Sequence, residues 1–177
     1  MKPHTEHLFS PENLTIRFEN SHLLFDTVAV DQLIHFEAYG VMKKLFESGA
    51  KFCYIHQVLL ELMATDNAQK RIERQLFLSK YNFQKITHID EVIRQFSMDL
   101  QELLHKLDCH PSPTDLYLGA SLNSFTTINK TYLVTGDAKD FPSPVYQKIG
   151  FIILSSNKHV RTLTVLGMKP IKVKIEK

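Results

Sequence analysis

Four acidic residues stand where a carboxylate carries information. Asp26 ends the short apolar run Leu23-Leu24-Phe25, and Asp137 follows the segment Thr131 to Thr135 (TYLVT) after a single glycine. Glu61 interrupts an otherwise apolar run, Val58-Leu59-Leu60-Glu61-Leu62-Met63. An ionised carboxylate there has to reach solvent, a partner or a metal, because burying it alone is very costly. Asp115 opens a helix directly after Pro111-Ser112-Pro113-Thr114. Each acid also has a plainer role. Asp26 suits a cap or turn, Asp137 a turn and Glu61 an exposed helix face, while Asp115 suits compensation of the helix dipole, worth about 0.3–1 kcal/mol.

Other chemistries lack their residues. The nine histidines contain no HExxH, and there is neither a GxxxxGK(S/T) phosphate loop nor a GxGxxG fingerprint. Val28 stands two residues after Asp26, so no paired DxD nucleophile is present. Cys53 and Cys109 are too few for a metal finger or a disulfide framework and read as small buried thiols. His4 and His7 form an N-terminal pair, and His56, near the second strand, reads as a satisfied surface or core histidine.

The elements that position the acids follow from hydrophobic periodicity. Leu23-Leu24-Phe25 predicts a first strand, and Val30, Leu33, Ile34, Val41, Met42 and Leu45 then recur at helical spacing. Gly49 stands where a helix C-cap glycine would. Lys51 to Ile55 predicts a second strand, Val58 to Met63 a short helix, and Asn67 to Tyr81 a charge-rich one. Phe83 to Ile89 (FQKITHI) alternates as a strand does. Val92, Ile93, Phe96, Leu100, Leu103, Leu104 and Leu107 make a continuous apolar stripe. The prolines end that helix, and Thr114 or a neighbour caps the next, from Asp115 to about Ser124. TYLVT and Phe151 to Leu154 are further strands.

Strands separated by helices give βα units, so the expected fold is α/β, three-layered α/β/α with a mostly parallel central sheet. In such a sheet ligands gather at the carboxyl ends of strands near a topological switch point. Asp26 and Asp137, about 110 residues apart, can meet there. Leu14 to Phe18 (LTIRF) and Ile171 to Ile175 (IKVKI) alternate as edge strands, and the lysines of the second suit an edge that must avoid aggregation. IKVKI is alternatively a strand for docking a partner. The chain thus divides into an N-terminal extension (1–21), one domain (22–155) and a C-terminal extension packed on it (156–177).

At 177 residues, 44% hydrophobic and 23% charged, the chain is a globular domain with a sizeable core. No apolar run approaches the roughly 20 residues of a membrane helix, and the N-terminus shows no secretory signal, so a cytoplasmic location is expected. The net charge of +2 neither requires nor excludes nucleic acid, for which a local basic surface matters. Lys43 and Lys44, with Lys70, Arg71 and Arg74, read as solvated helix faces, and Tyr117 and Phe141 as core residues.

Four segments together resemble the PIN-domain nucleases, including the VapC-like toxin ribonucleases. They are Leu24-Phe25-Asp26-Thr27, Val58-Leu59-Leu60-Glu61-Leu62, the stretch Ser112 to Ala120 (SPTDLYLGA) and the stretch Tyr132 to Phe141 (YLVTGDAKDF). The resemblance covers roughly residues 22 to 155. It implies that Asp26, Glu61, Asp115 and Asp137 form a catalytic pocket holding one or two Mg²⁺ or Mn²⁺ ions, with Asp140 as an ambiguous fifth acid. Thr135 would help to position the pocket.

Carboxylates crowded together repel, and a hard divalent cation with oxygen ligands relieves them. The implied reaction is hydrolysis of RNA phosphodiesters by in-line attack of water without a covalent intermediate. Lys130 and Lys139 flank the last strand and its acidic turn and are candidates to reach a substrate phosphate. An antitoxin protein and a second copy of the chain are the partners that the resemblance suggests, and no membrane is expected. An RNA-processing nuclease fits as well as a toxin. The alternative is a catalytically inactive PIN-like module that binds RNA or protein.

Overall fold

The computed structural model describes residues 18–87, 90–126, 130–156 and 159–169. His4, His7 and both expected edge strands, apart from Phe18, lie outside the described residues. In chain order the elements are β1 (His22–Phe25), α1 (Thr27–His35), α2 (Tyr39–Glu47), β2 (Lys51–Tyr54), α3 (His56–Met63) and α4 (Ala68–Lys80). There follow β3 (Gln84–Lys85), α5 (Asp90–His105), α6 (Pro113–Thr126), β4 (Thr131–Thr135), a 3-10 turn (Ala138–Asp140), β5 (Tyr146–Ser155) and β6 (Val160–Met168). The protein is mixed α/β, with six strands in one sheet and six helices among the described residues. No helix among them is long and apolar enough to cross a membrane.

The strand order is β3-β2-β1-β4-β6-β5. The first four strands run parallel, whereas β6 is antiparallel to both β4 and β5. β1 is central, with Leu24 opposite Cys53 on one side and Leu133 on the other. Leu23, Leu24 and Phe25 have no exposed surface, which explains why this strand is a continuous apolar run and does not alternate. From β1 the chain first builds outward through β2 to β3 and then returns to add β4 on the opposite side. The order therefore reverses between β1 and β4, and that is the switch point.

Several boundaries differ from expectation. The periodic stretch from Val30 to Leu45 forms two helices, because α1 stops at His35. Glu37 takes a left-handed backbone (φ 49°), and the Ala38 amide bonds back to the Leu33 carbonyl at 3.0 Å. The same terminator recurs at Gly49, Asn82 and Asp108, where the next amide returns to the carbonyls of Leu45, Leu78 and Leu104. Gly49 and Asn82 announce it in the sequence. Glu37 does not, since the left-handed conformation costs a glutamate about 1–2 kcal/mol.

The strand expected from Phe83 to Ile89 shrinks to Gln84 and Lys85, with residues 88 and 89 outside the described residues. β2 ends at Tyr54, so it offers only Cys53 and Tyr54 as partners. Phe83 instead turns into the core, its ring 5.3 Å from Phe52 and 5.2 Å from Phe25. The expected strand at Phe151 to Leu154 is the middle of the ten-residue β5. β6, within the segment read as a C-terminal extension, lies inside the sheet between β4 and β5. Arg74, read as solvated, is 5% exposed. Cys53 and Phe141 are buried as expected, and Cys109 and Tyr117 are partly buried.

Candidate active site

Asp26 leaves the carboxyl end of β1 and caps α1, so its plainer role is real. One carboxylate oxygen, Oδ1, accepts from the Ala29 amide at 2.5 Å. The other, Oδ2, accepts from the Thr135 hydroxyl at 2.5 Å and from the Gly136 amide at 3.3 Å. Those three donors favour the charged form, yet burial outweighs them. With 6% of its surface exposed and the charge of Asp115 adding to the burial effect, the carboxyl is pushed up to about 6.

Thr135 is fully buried at the end of β4. Its hydroxyl donates to Asp26 and accepts from the Asp137 amide at 2.9 Å. A single Oγ1 therefore fixes both the first acid and the backbone that carries the last. Valine has the same shape but could do neither. Thr135 thus bridges the two strands of the switch point.

Glu61 lies on the exposed face of α3. Its carboxylate accepts from the hydroxyls of Thr27 at 2.5 Å and Thr114 at 2.6 Å. Thr27 follows Asp26 and Thr114 precedes Asp115, so Glu61 is tied to the neighbours of two other acids. Sequence spacing does not single out these threonines; their only mark is adjacency to an acid. Asp115 also has its plainer role. Ser112 caps α6 and donates to Asp115 Oδ2 from its amide at 3.2 Å and its hydroxyl at 2.6 Å, while the Asp115 amide returns a bond to Ser112 Oγ at 3.2 Å.

Asp137 and Asp140 occupy the turn after β4. Burial first, then the charges of Asp115 and Asp137, raise the Asp140 carboxyl above its ordinary value, with Lys139 opposing. Asp115 thus acts on both Asp26 and Asp140, and Asp137 acts on Asp140. The Lys139 ammonium pairs with Asp137 at 2.9 Å on the exposed side of the turn. Lys130 precedes β4 and stands roughly 15 Å from its carboxyl end, too far to serve phosphate at the acids. His56, the first residue of α3, is exposed.

Asp26, Asp115, Asp137 and Asp140 are thus linked in part by charge and in part through Thr135, but they are not closed into a cage. Among the described residues, no three His, Cys, Asp or Glu side chains come together closely enough to hold a metal ion. The donor chemistry nevertheless suits a hard cation. Every candidate ligand is a carboxylate oxygen, and burial first, with neighbouring acids adding to it, raises the Asp26 and Asp140 carboxyls. Comparison with known proteins found no matching family, no similar curated protein and no similar solved structure.

Proposed function

We propose that the protein is a metal-dependent ribonuclease of PIN-like, three-layer α/β/α fold. One observation carries this reading. Asp26 and Asp137 leave the carboxyl ends of the two parallel strands that flank the switch point, and one buried hydroxyl, Thr135 Oγ1, holds both. Asp26, Glu61, Asp115 and Asp137, with Asp140 beside them, would hold Mg²⁺ or Mn²⁺. A bound divalent ion supplies neutralisation of phosphate charge and a more acidic water.

The chain's own part is preorganisation. Thr135 and the Ala29 and Gly136 amides fix the Asp26 oxygens, and the hydroxyls of Thr27 and Thr114 fix those of Glu61. Carboxylates held in this way need little rearrangement as charge develops on the substrate. The partial burial of Asp140 and the burial of Asp26 lower the local dielectric around them, which strengthens their attraction for a cation.

End-labelled structured RNA incubated with the protein and Mg²⁺, Mn²⁺ or EDTA tests the reading. Wild type is expected to cut only with metal, and Glu61→Gln, still folded, to cut about a hundredfold more slowly. Equal cutting by both proteins, or cutting in EDTA, would sink the proposal. A second reading, a binding module without catalysis, is favoured by one observation, the absence of a closed three-ligand cluster among the described residues. It would be supported by RNA retention without cleavage in either metal.

Thr135→Val offers a finer check. The variant should cut about tenfold more slowly, while Thr135→Ser, which keeps the hydroxyl, should approach wild type. Loss of the hydroxyl also removes a bond that favours the Asp26 carboxylate, so the protonation midpoint of Asp26 should rise above wild type. Titration of that group in EDTA by carboxyl NMR reads this directly. Unchanged midpoints in Thr135→Val would show that Thr135 only fills space.

A further inference from the structure

A groove of about 690 Å³ lies between α1, the start of α4 and the start of β6. It adjoins the acids without sharing them. Thr27, whose hydroxyl bonds Glu61, lines it. So do Val28 and Gln32, the residues pressed against the turn before Asp137. A Cβ on Gly136 would stand 2.4 Å from Val28 Cγ1 and 3.2 Å from Gln32 Nε2, so only glycine admits this close approach. The acidic turn therefore packs behind one wall of the groove, the wall that Val28 and Gln32 form.

The strand register supplies the opposite wall. β6 runs antiparallel to β4 with Thr164 opposite Thr135. Arg161, three residues earlier, overhangs the carboxyl end of the sheet by roughly 10 Å, and His159 lies beyond it. Both line the groove. β6 thus carries a cation to the side of the sheet on which the acids lie. Arg161 is exposed and has no ion-pair partner among the described residues.

Its charge is not cancelled by its surroundings. The groove holds three cations, Lys70, Arg74 and Arg161, against two carboxylates, Asp31 and Glu73. Asp31 is already occupied, bonded by Arg74 at 2.5 and 2.7 Å and paired with Lys70 at 3.3 Å. Two further features suit a nucleobase. Gln32 Oε1 is a buried acceptor with no hydrogen-bond partner among the described residues. The rings of His35 and Phe36 meet edge to face at 5.2 Å on the same rim.

We infer that this groove holds the unpaired stretch of RNA that flanks the scissile phosphate, with Arg161 on a backbone phosphate and Gln32 Oε1 accepting from a base N–H. The inference rests on the ribonuclease reading. A recess with stackable rings and a waiting acceptor suits bases that are splayed out, which a duplex does not offer.

The test measures binding of a labelled single-stranded oligoribonucleotide to the full chain in EDTA, by anisotropy across a salt series. Arg161→Glu should weaken binding about tenfold and lower the salt dependence by about one phosphate contact. The isosteric Gln32→Met should weaken binding and leave the salt dependence unchanged. The matching duplex should bind less tightly than the single strand. Photo-crosslinking of thiouridine-substituted RNA to wild type should label the stretch from Gln32 to Phe36, which keeps the test independent of variant folding.

Equal affinity of wild type and Arg161→Glu, or crosslinks confined to α5, would overturn the groove assignment. Because binding is read without metal, the ribonuclease reading fails separately. RNA that is held in the groove but never cut with Mg²⁺ or Mn²⁺ overturns that reading alone.

Discussion

Asp26→Asn will be at least as stable as wild type at neutral pH and, if the chain is the ribonuclease proposed above, will cut RNA a hundredfold or more slowly, by roughly 3 kcal/mol of transition-state stabilisation. The two effects share one cause. Burial raises the Asp26 carboxyl from its ordinary 3.8 to about 6, so the folded chain binds this proton more tightly than the unfolded chain does. The stability contributed by the protonated form is fully present below the ordinary value and is lost as pH rises through about 6. At neutral pH the ionised group costs the fold on the order of 3 kcal/mol.

Asparagine removes that cost and keeps an oxygen for the Ala29 amide. It gives back about 1–2 kcal/mol, because its NH₂ cannot accept from Thr135 and Gly136. Thermal melts in EDTA from mildly acidic to neutral pH check the balance. Wild type should gain stability relative to Asp26→Asn as pH falls through about 6. Parallel curves would mean that Asp26 is not the strained carboxylate described above. Saturating Mn²⁺ should raise the wild-type midpoint and leave the variant's unchanged, with about 2.7 kcal/mol of stabilisation at a hundredfold excess over Kd.

The largest loss of stability is expected at Arg74. It is 5% exposed, donates to both oxygens of Asp31 on α1, and bonds the Leu62 carbonyl near the end of α3. One guanidinium on α4 therefore joins three helices. Burial alone would raise the Asp31 carboxyl, but the bonds and charge of Arg74, helped by Lys70, hold it below its ordinary value. Arg74→Ala strands both partners and should cost about 3 kcal/mol, the low end for breaking a buried pair because Asp31 keeps Lys70 and some solvent. Urea denaturation with an unchanged slope reads this loss. Lys70→Ala should cost under about 1 kcal/mol, and a similar cost for both variants would show that the bidentate geometry carries no weight.

Arg74 also shows where sequence reading ran out. In a helix rich in charge, nothing separates it from Lys70 or Arg71, because its burial depends on where Asp31 and the end of α3 lie. Asp26 and Asp137 were legible for the opposite reason. A strand that ends abruptly marks the end of the sheet where ligands gather, and an acid at that end (Asp26) or one glycine past it (Asp137) can be read locally. Asn67 and Gly49 were equally local, one the N-cap of α4 and the other the left-handed end of α2.

β6 was hidden. Its first three residues, Val160, Arg161 and Thr162, are exposed and the next five are buried, so no alternation spans it. Membership in the sheet comes from pairing with β4 and β5, which no local pattern records. Lys139 likewise looked free until the 3-10 turn brought it back on Asp137. Residues whose role depends on their immediate neighbours could be read from the sequence, whereas those whose role depends on distant partners could not.

The bond between Asp26 and Thr135 has a consequence for how the protein comes into being, since it joins residues 109 positions apart. β1 finds β2 early in synthesis, but its other neighbour is made only after six helices, and long-range strand pairing is slow. A nascent chain that has emerged as far as α6 already contains Asp26, Glu61 and Asp115. It has no Thr135 to orient the first acid and no Asp137 to complete the set. Such a fragment carries most of the acids without the bond that joins the two strands of the switch point, so the acids are brought together only once β4, the second neighbour of β1, has been made.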